Sequence, residues 1–213
     1  MRNLLLPPTE KRQQFELHAL GLRDFAAVAD NEPLDPFALA KFAKLMVIDF
    51  AAIEGLSPET RAHLLGDGVE EWSGGACSRP LPNGWRLVIL NPAHGKRRNR
   101  ATLMEEVAHV FLGHAANRLA VVGNPTVGEG TARTLARDYN HDDEEAAYAT
   151  GAAALVPYAA LRRFVTGGRT ADQIAHYFSV SRQLVEYRIK VTHLWPEYQS
   201  LQSRDSVTSK EHV

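Results

Sequence analysis

The sequence predicts an α+β protein that is mostly helical, with a small three-stranded sheet and a C-terminal segment resembling a helix-turn-helix. Three observations predict this fold class. Apolar residues recur at helical spacing in several segments, most clearly in residues 100–114. Short runs rich in strand-forming residues at 45–50, 72–78 and 85–90 predict the sheet. Two short helical patterns joined by a turn within residues 170–190 predict the C-terminal segment.

The first half of the chain carries clear start and stop residues for its elements. Apolar spacing predicts a first helix over residues 9–30, which ends at Asn31-Glu32-Pro33. Helices should also begin at Asp35-Pro36 and Ser57-Pro58, because a capping residue followed by proline is typical of a helix start. Pro82-Asn83-Gly84 predicts a turn, so the second and third strands should form a hairpin.

The second half of the chain is predicted to be mainly helical. The acidic residues 142–145 precede an alanine-rich helix, and a shorter helix should run from Pro157 to Thr166. These patterns divide the chain into four segments: an N-terminal helix at 1–34, a main domain at 35–168, the helix-turn-helix-like segment at 169–195, and a flexible polar tail at 196–213.

Composition excludes several functional classes. The chain has 213 residues with 24 basic and 25 acidic side chains, so no overall field attracts it to nucleic acid or a membrane. Its single cysteine, Cys77, excludes an internal disulfide and a cysteine-based zinc site. The N-terminus lacks the apolar core of a signal peptide, and no run reaches the roughly 20 apolar residues of a membrane span. The sequence therefore predicts a cytoplasmic protein that does not interact with membranes.

Residues 100–114, R-A-T-L-M-E-E-V-A-H-V-F-L-G-H, contain the most informative pattern. On a helix their apolar residues form one stripe, and Glu105, Glu106 and His109 gather on the other side. Glu105 and His109 are four residues apart, so both side chains can bind one metal ion. Glu106 lies beside them and can deprotonate a bound water. His114 falls on the apolar stripe near the helix end and is predicted to be structural.

Two other interpretations of this region are open. Thr102 and Glu105 fit a capping box, in which both side chains satisfy backbone amides at a helix start. In that case Glu105 is structural. The basic residues 94–100 are predicted to form a solvated loop before the helix, because positive charge opposes the dipole at a helix N-terminus.

The helix-turn-helix-like segment has two readings. Its polar residues Arg182, Gln183, Arg188 and Lys190 are types that can contact DNA. Its apolar residues are needed to hold the motif against the domain, and helix pairs of this kind are widely used without nucleic acid. We therefore favour a structural or protein-binding role and keep DNA as the weaker alternative.

Residues 102–114, followed by an acidic segment that leads to Ala152-Ala-Ala-Leu-Val-Pro157, resemble the ImmA/IrrE metallopeptidase family. The resemblance also includes residues 35–40, 72–74 and 89–92, and it spans roughly residues 35–190. It implies a zincin-like domain and a zinc-dependent endopeptidase that cuts a partner protein, typically a transcriptional repressor.

The family pattern is H-E-x-x-H on one helix with a glutamate on a later helix. By position, Glu106 matches the general base and His109 the second histidine ligand, while Glu105 stands where the first histidine is expected. The resemblance implies that Glu145 is the third metal ligand, with Glu144 as the alternative. Two carboxylates and one imidazole form a harder donor set than two imidazoles and one carboxylate. Manganese or iron are therefore alternatives to zinc.

The resemblance also implies a mechanism and its alternative. The metal ion activates a water, Glu106 takes the proton of that water, and His94 or His141 can steady the resulting tetrahedral intermediate. The alternative function is a catalytically degenerate regulator that keeps the peptidase fold and binds protein or DNA.

Overall fold

The predicted α+β class is confirmed in the computed structural model, which describes residues 4–77, 79–115, 119–122, 134–137 and 140–208. Within these ranges the helices are α1 (Glu10–Phe25), α2 (Pro36–Phe42), α3 (Pro58–Leu65), α4 (Lys96–Phe111), α5 (His141–Leu155), α6 (Tyr158–Thr166), α7 (Ala171–Phe178), α8 (Arg182–Val191) and α9 (Trp195–Thr208). The strands are β1 (Leu45–Ile48), β2 (Gly74–Ala76), β3 (Arg86–Leu90), β4 (Leu119–Val122) and β5 (Thr134–Arg137). Two short 3-10 helices cover Phe50–Ala52 and Val69–Glu71.

The predicted three-stranded sheet is present, with the strand order β1-β3-β2. Strand β1 pairs parallel to β3, with Leu45 opposite Arg86. Strand β2 pairs antiparallel to β3 through the predicted hairpin, where Gly84 takes a positive φ of 80°. Because β3 is central, β2 lies at one edge of the sheet. Strands β4 and β5 pair antiparallel in a separate two-stranded sheet, which was not predicted.

The predicted helix starts are confirmed by their capping hydrogen bonds. The side chain of Asp35 accepts from the backbone N–H of Phe37, and Ser57 accepts from Thr60. Ser181 accepts from Leu184 at the start of α8, after the short turn that follows α7. These side chains satisfy backbone amides that have no partner within the helix.

One hydrophobic core joins the N-terminal helix, the central region and the C-terminal helices. Its buried members run from Ala19 on α1, through Leu103 on α4 and Leu155 on α5, to Ile189 on α8. Helices from all three predicted folded segments therefore contribute to the same core. No helix in the described residues is long and apolar enough to cross a membrane.

A buried ion pair also connects the two ends of the chain. Arg188 on α8 donates to the Glu16 carboxylate on α1 at 2.5 Å, and neither side chain is more than 2% exposed. Glu16 accepts a second hydrogen bond from the Tyr158 backbone N–H, and Arg188 donates to the Val156 carbonyl. These contacts satisfy both buried charges at the junction between α5 and α6.

Residues 196–208 of the segment predicted to be a polar tail belong to helix α9. The Tyr198 hydroxyl accepts from the Ala171 backbone N–H on α7 at 3.0 Å, and Lys190 Nζ on α8 lies 4.8 Å from the centre of the Trp195 ring. Trp195 and Tyr198 therefore attach this segment to the other C-terminal helices, although the average composition of the segment is polar. Residues 209–213 lie outside the described residues.

Candidate metal centre

Helix α4 begins earlier than the sequence predicts. It starts at Lys96, so the predicted basic loop at 94–100 is wrong, since most of that stretch forms the first turns of the helix. Acidic partners offset the unfavourable charge at this helix start. Arg98 pairs with Glu70, and Arg100 pairs with Asp35, each at 3.2 Å.

The early start also removes the capping-box interpretation of Glu105. Thr102 lies inside α4, and its hydroxyl donates to the carbonyl of Arg98 at 3.4 Å, so it caps no helix start. Glu105 is therefore a mid-helix residue, and a capping role does not account for it.

A glycine on α5 sets the distance between the two helices that carry the site. A Cβ added to Gly151 would lie 3.2 Å from the carbonyl carbon and oxygen of Met104 and 3.3 Å from the Glu105 nitrogen. Only glycine permits this approach without displacement of the backbone. The helices run antiparallel, so Glu144, about two turns before Gly151, comes to lie beside His109.

Three side chains of types that serve as metal ligands converge where α4 and α5 pack. One donor atom from each of Glu105, His109 and Glu144 lies within 4.8 Å of the other two. His109 Nε2 is 3.5 Å from a Glu144 carboxylate oxygen, and the two side chains are 19% and 18% exposed. A tetrahedral ion with bonds of about 2.1 Å separates its ligand atoms by about 3.4 Å. The spacing and the donor chemistry therefore fit one divalent metal ion.

Glu145, the predicted third ligand, does not join this group. Its carboxylate is 2.7 Å from Lys11 Nζ and 3.5 Å from an Arg12 nitrogen, both on α1. The hydrogen bond from Lys11 lowers the pKa of the Glu145 carboxyl. Successive residues on a helix point about 100° apart. The side of α5 that faces α4 therefore carries Glu144, and Glu145 faces α1.

Glu106 faces the sheet beside the proposed metal ligands. A Cβ added to Gly75 on edge strand β2 would lie 3.9 Å from the Glu106 Oε1 atom. Glu106, His109 and Glu144 all line a cleft of about 570 Å³. The predicted general base and two of the grouped donors therefore border the same space.

The rest of the cleft is largely apolar. Strand β2 forms part of its wall, and two arginines, Arg79 and Arg86, contribute positive charge. Its large apolar residues are Phe50, Ile53, Leu56, Leu64, Trp72, Ile89 and Val110. A cleft of this volume with few polar groups is typical of a site that binds an organic ligand or a short stretch of peptide.

His114 lies beside His109, although it is predicted to be a structural residue on the apolar stripe. Helix α4 ends at Phe111, and Gly113 takes a positive φ of 72°. Backbone hydrogen bonds from His114 to His109 and from Gly113 to Val110 form a Schellman motif. This reversal places the two Nδ1 atoms 3.0 Å apart. The Leu-Gly-His sequence after the helix was the available signal for the turn.

The electrostatic environment keeps His109 in its neutral form. Burial lowers the pKa of the His109 imidazole, and the Glu144 carboxylate opposes that shift. A neutral imidazole is the form that binds a metal ion.

Tyr148 lies one turn along α5 from Glu144. Burial raises the pKa of Tyr148 to about 12, with smaller contributions from Tyr187 and Glu105. Tyr148 therefore stays protonated at neutral pH.

Neither of the other predicted histidines lines the cleft. His94 is buried next to Asn91, 3.5 Å away, and its Nε2 atom is 4.0 Å from Glu70. Burial lowers the pKa of His94. His141 is the exposed first residue of α5, close enough to Glu145 to affect that carboxyl. The structure thus does not bring His94 or His141 to the cleft.

Three of the four candidate DNA-contacting side chains already have partners within the protein. Arg188 is buried in its pair with Glu16. Arg182 is bound by Asp172 at 3.1 Å and Glu186 at 2.7 Å, and Lys190 lies 4.8 Å from the Trp195 ring centre. These contacts leave little unpaired positive charge on α8 for phosphate groups.

Comparison with protein families gives one match, to the peptidase family described as the IrrE N-terminal-like domain, over residues 75–190. The matched range includes β3, both helices of the candidate metal centre and α8. No curated protein and no solved structure matches the chain significantly. The match covers more than half of the 213 residues and includes Glu105, His109 and Glu144. The chain therefore belongs to the IrrE N-terminal-like family and has a metallopeptidase-like fold.

Proposed function

We propose that this protein is a zinc-dependent endopeptidase that cleaves a partner protein, and that the partner is a transcriptional repressor. The observation that carries the proposal is the convergence of Glu105, His109 and Glu144 to within 4.8 Å beside a cleft. A further carboxylate, Glu106, borders that cleft, and the chain belongs to a peptidase family. Metal-dependent peptide hydrolysis requires these parts: a set of metal ligands, a base and room for substrate.

Each side chain has a distinct role in the proposed reaction. Glu105, His109 and Glu144 would hold the ion, which when bound supplies a Lewis acid for the scissile carbonyl and for water. Glu106 takes a proton from the attacking water and passes it to the departing nitrogen, so the base returns to its carboxylate form. The apolar cleft wall binds the substrate side chains and excludes bulk water from the reacting bond.

The choice of metal depends on the glutamate at the first ligand position. Zinc accepts carboxylate and imidazole ligands, and most catalytic zinc sites combine three protein ligands with one open position. A set of two carboxylates and one imidazole is harder than the family pattern, so manganese or iron are the alternatives. Zinc remains the proposed ion because three ligands with one histidine suit its usual coordination number.

A protein substrate is supported by the shape and composition of the cleft. Its apolar lining residues, such as Phe50 and Trp72, suit apolar side chains of an extended segment, and the edge strand β2 borders the same space. A repressor as the target is the expectation from the family resemblance. A cytoplasmic location, where such a partner is found, is part of the proposal and is supported by the single free Cys77.

Cleavage assays with purified repressors from the same organism test the proposed activity. Zinc-loaded wild type should cut at least one of them at a defined bond, with products identified by mass spectrometry. Chelation should stop the reaction and added Zn²⁺ should restore it. Glu106→Gln should keep its metal content and lose cleavage, because the amide cannot accept the water's proton.

A non-catalytic regulator is the second candidate, favoured by Glu105 at a position where the family pattern has histidine. An added anionic ligand weakens the Lewis acidity of the ion and raises the pKa of bound water. A wild-type protein that binds metal and a repressor but leaves every repressor intact would support this function. It would also contradict the proposed peptidase activity.

A further inference from the structure

We propose that His114 and Asp143 are positioning residues that orient His109 toward the metal ion and select its tautomer. The inference rests on the proposed metal site and extends it to two side chains outside the ligand group. Neither residue would bind the ion, although His114 also lines the cleft. Both would act through His109.

Three side chains, from α4, from the turn that follows α4 and from α5, lie in a row. His109 Nδ1 lies 3.0 Å from His114 Nδ1, and the two rings are inclined by 72°. His114 Nε2 lies 3.6 Å from the Asp143 Oδ1 atom, close enough for an electrostatic contact. The His114 side chain is 12% exposed, so little water competes for these positions.

The positions of the protons on His109 and His114 follow from the chemistry of Asp143. A carboxylate accepts hydrogen bonds and donates none, so Asp143 favours a proton on His114 Nε2. Neutral His114 then has an unprotonated Nδ1 atom, which can accept the Nδ1–H of His109. In the metal-free protein the Glu144 carboxylate, 3.5 Å from His109 Nε2, favours a proton on that atom by the same argument. A bound cation would replace this proton at Nε2, and the ring proton of His109 would then lie on Nδ1, where His114 accepts it.

Local structure holds the His114 and Asp143 side chains in place. The positive φ of Gly113 reverses the backbone after α4 and returns His114 to His109. Asn140, the N-cap of α5, donates to the other Asp143 oxygen at 2.9 Å and accepts from the Asp143 backbone N–H. Asp143 is therefore fixed at the start of the helix that carries Glu144, one residue further along.

The metal affinity of the full chain tests this role. Co²⁺ binding is followed by its absorption spectrum, and Zn²⁺ affinity is measured by competition with a chelator. His114→Ala and Asp143→Asn should each weaken binding by about 10–100-fold, the loss typical of partners that orient a metal-bound histidine. His114→Asn keeps a hydrogen-bond acceptor near the Nδ1 position and should therefore lose less metal affinity than His114→Ala. Asp142→Asn is the matched control, because it removes an exposed acid from the same helical turn.

Two further readouts separate orientation from general stability. The urea midpoint of the metal-free protein should be the same for Asp143→Asn and Asp142→Asn. In zinc-loaded wild type, ¹⁵N NMR should show His114 as the Nε2–H tautomer, and Asp143→Asn should reduce that preference. If Asp143 had only a structural role, Asp143→Asn would leave the His114 tautomer unchanged. The metal affinities of Asp143→Asn and Asp142→Asn would then also be equal.

The outcomes distinguish this inference from the proposed function. Wild-type affinity in both His114→Ala and Asp143→Asn would overturn the positioning role while the metal site stands. Equal losses in Asp142→Asn and Asp143→Asn would also overturn it, because they would indicate a general charge effect. A wild-type protein that binds neither Co²⁺ nor Zn²⁺ would overturn the proposed function and this inference with it.

Discussion

Gly151 on α5 lies against the backbone of Met104 on α4, so close that a Cβ at position 151 would come within 3.2 Å of the Met104 carbonyl. Methionine 104 immediately precedes Glu105, and Gly151 follows Glu144 by about two helical turns. This single contact therefore sets the separation of the two helices that carry the proposed ligands.

Gly151→Ala should destabilise the protein by about 1–3 kcal/mol, because the added methyl group meets backbone atoms that cannot move alone. It should also weaken metal binding, since α5 must shift away from α4. Gly21→Ala is the matched control: its Cβ would lie an ordinary 3.5 Å from Phe111 within a helix. That change should stabilise the fold by about 0.5–1 kcal/mol. Urea unfolding of both variants measures the difference, and equal effects would contradict the close-packing explanation.

The sequence was sufficient for most elements because their signals are local. Caps at Asp35, Ser57 and Ser181, and the turn at Gly84, each depend on a few neighbouring residues. The start of α4 was missed because its basic first turn is stabilised by distant acids such as Glu70 and Asp35. Partners far away in sequence cannot be read from local propensity.

The choice between Glu144 and Glu145 shows the same limit at the site. Counting back from Pro157 puts Ala146 at the position that the family pattern gives to the glutamate, with Glu145 one residue and Glu144 two residues away. A shift of one residue turns a helical side chain by about 100°. The contact of Gly151 with α4 and the pairing of Glu145 with Lys11 determine which face of α5 meets His109. Both are tertiary contacts. By contrast, the grouping of Glu105 with His109 depends only on helical spacing and was predictable.

The buried pair of Glu16 and Arg188 predicts that the C-terminal helices unfold together with the rest of the protein. Glu16→Gln should cost about 3–5 kcal/mol, because it leaves the Arg188 charge buried without its counterion. The double variant Glu16→Gln with Arg188→Met should lose less stability than Glu16→Gln alone, because it no longer buries an unpaired charge. Chemical denaturation should show one transition in each case. A separate early transition for residues 169–195 would contradict this coupling.

Glu105→His should tighten zinc binding, because it replaces a carboxylate by an imidazole and restores two histidines and one glutamate. Manganese binding should weaken in the same variant, since the donor set becomes softer. Competition between the two ions in wild type and variant measures the change in selectivity. Unchanged selectivity would show that the side chain at position 105 does not contact the ion.

The lowered pKa values of His109 and His94 predict how the metal-free protein responds to acid. Both imidazoles hold protons less tightly when folded, so the unfolded chain binds more protons below its ordinary histidine pKa of about 6.5. The free energy of unfolding should therefore fall as the pH decreases from about 6.5 toward the folded-state pKa values. NMR titration of the two rings checks the direction. A pKa above 6.5 for His109 would contradict it.

The metal content of wild type, Glu144→Gln and Glu145→Gln after equilibration with Zn²⁺ tests whether Glu105, His109 and Glu144 together form one metal site. We expect one equivalent of zinc in wild type and in Glu145→Gln, and a strong loss in Glu144→Gln, because Glu144 is grouped with Glu105 and His109 and Glu145 is not. Retention of zinc by Glu144→Gln together with its loss from Glu145→Gln would contradict this site.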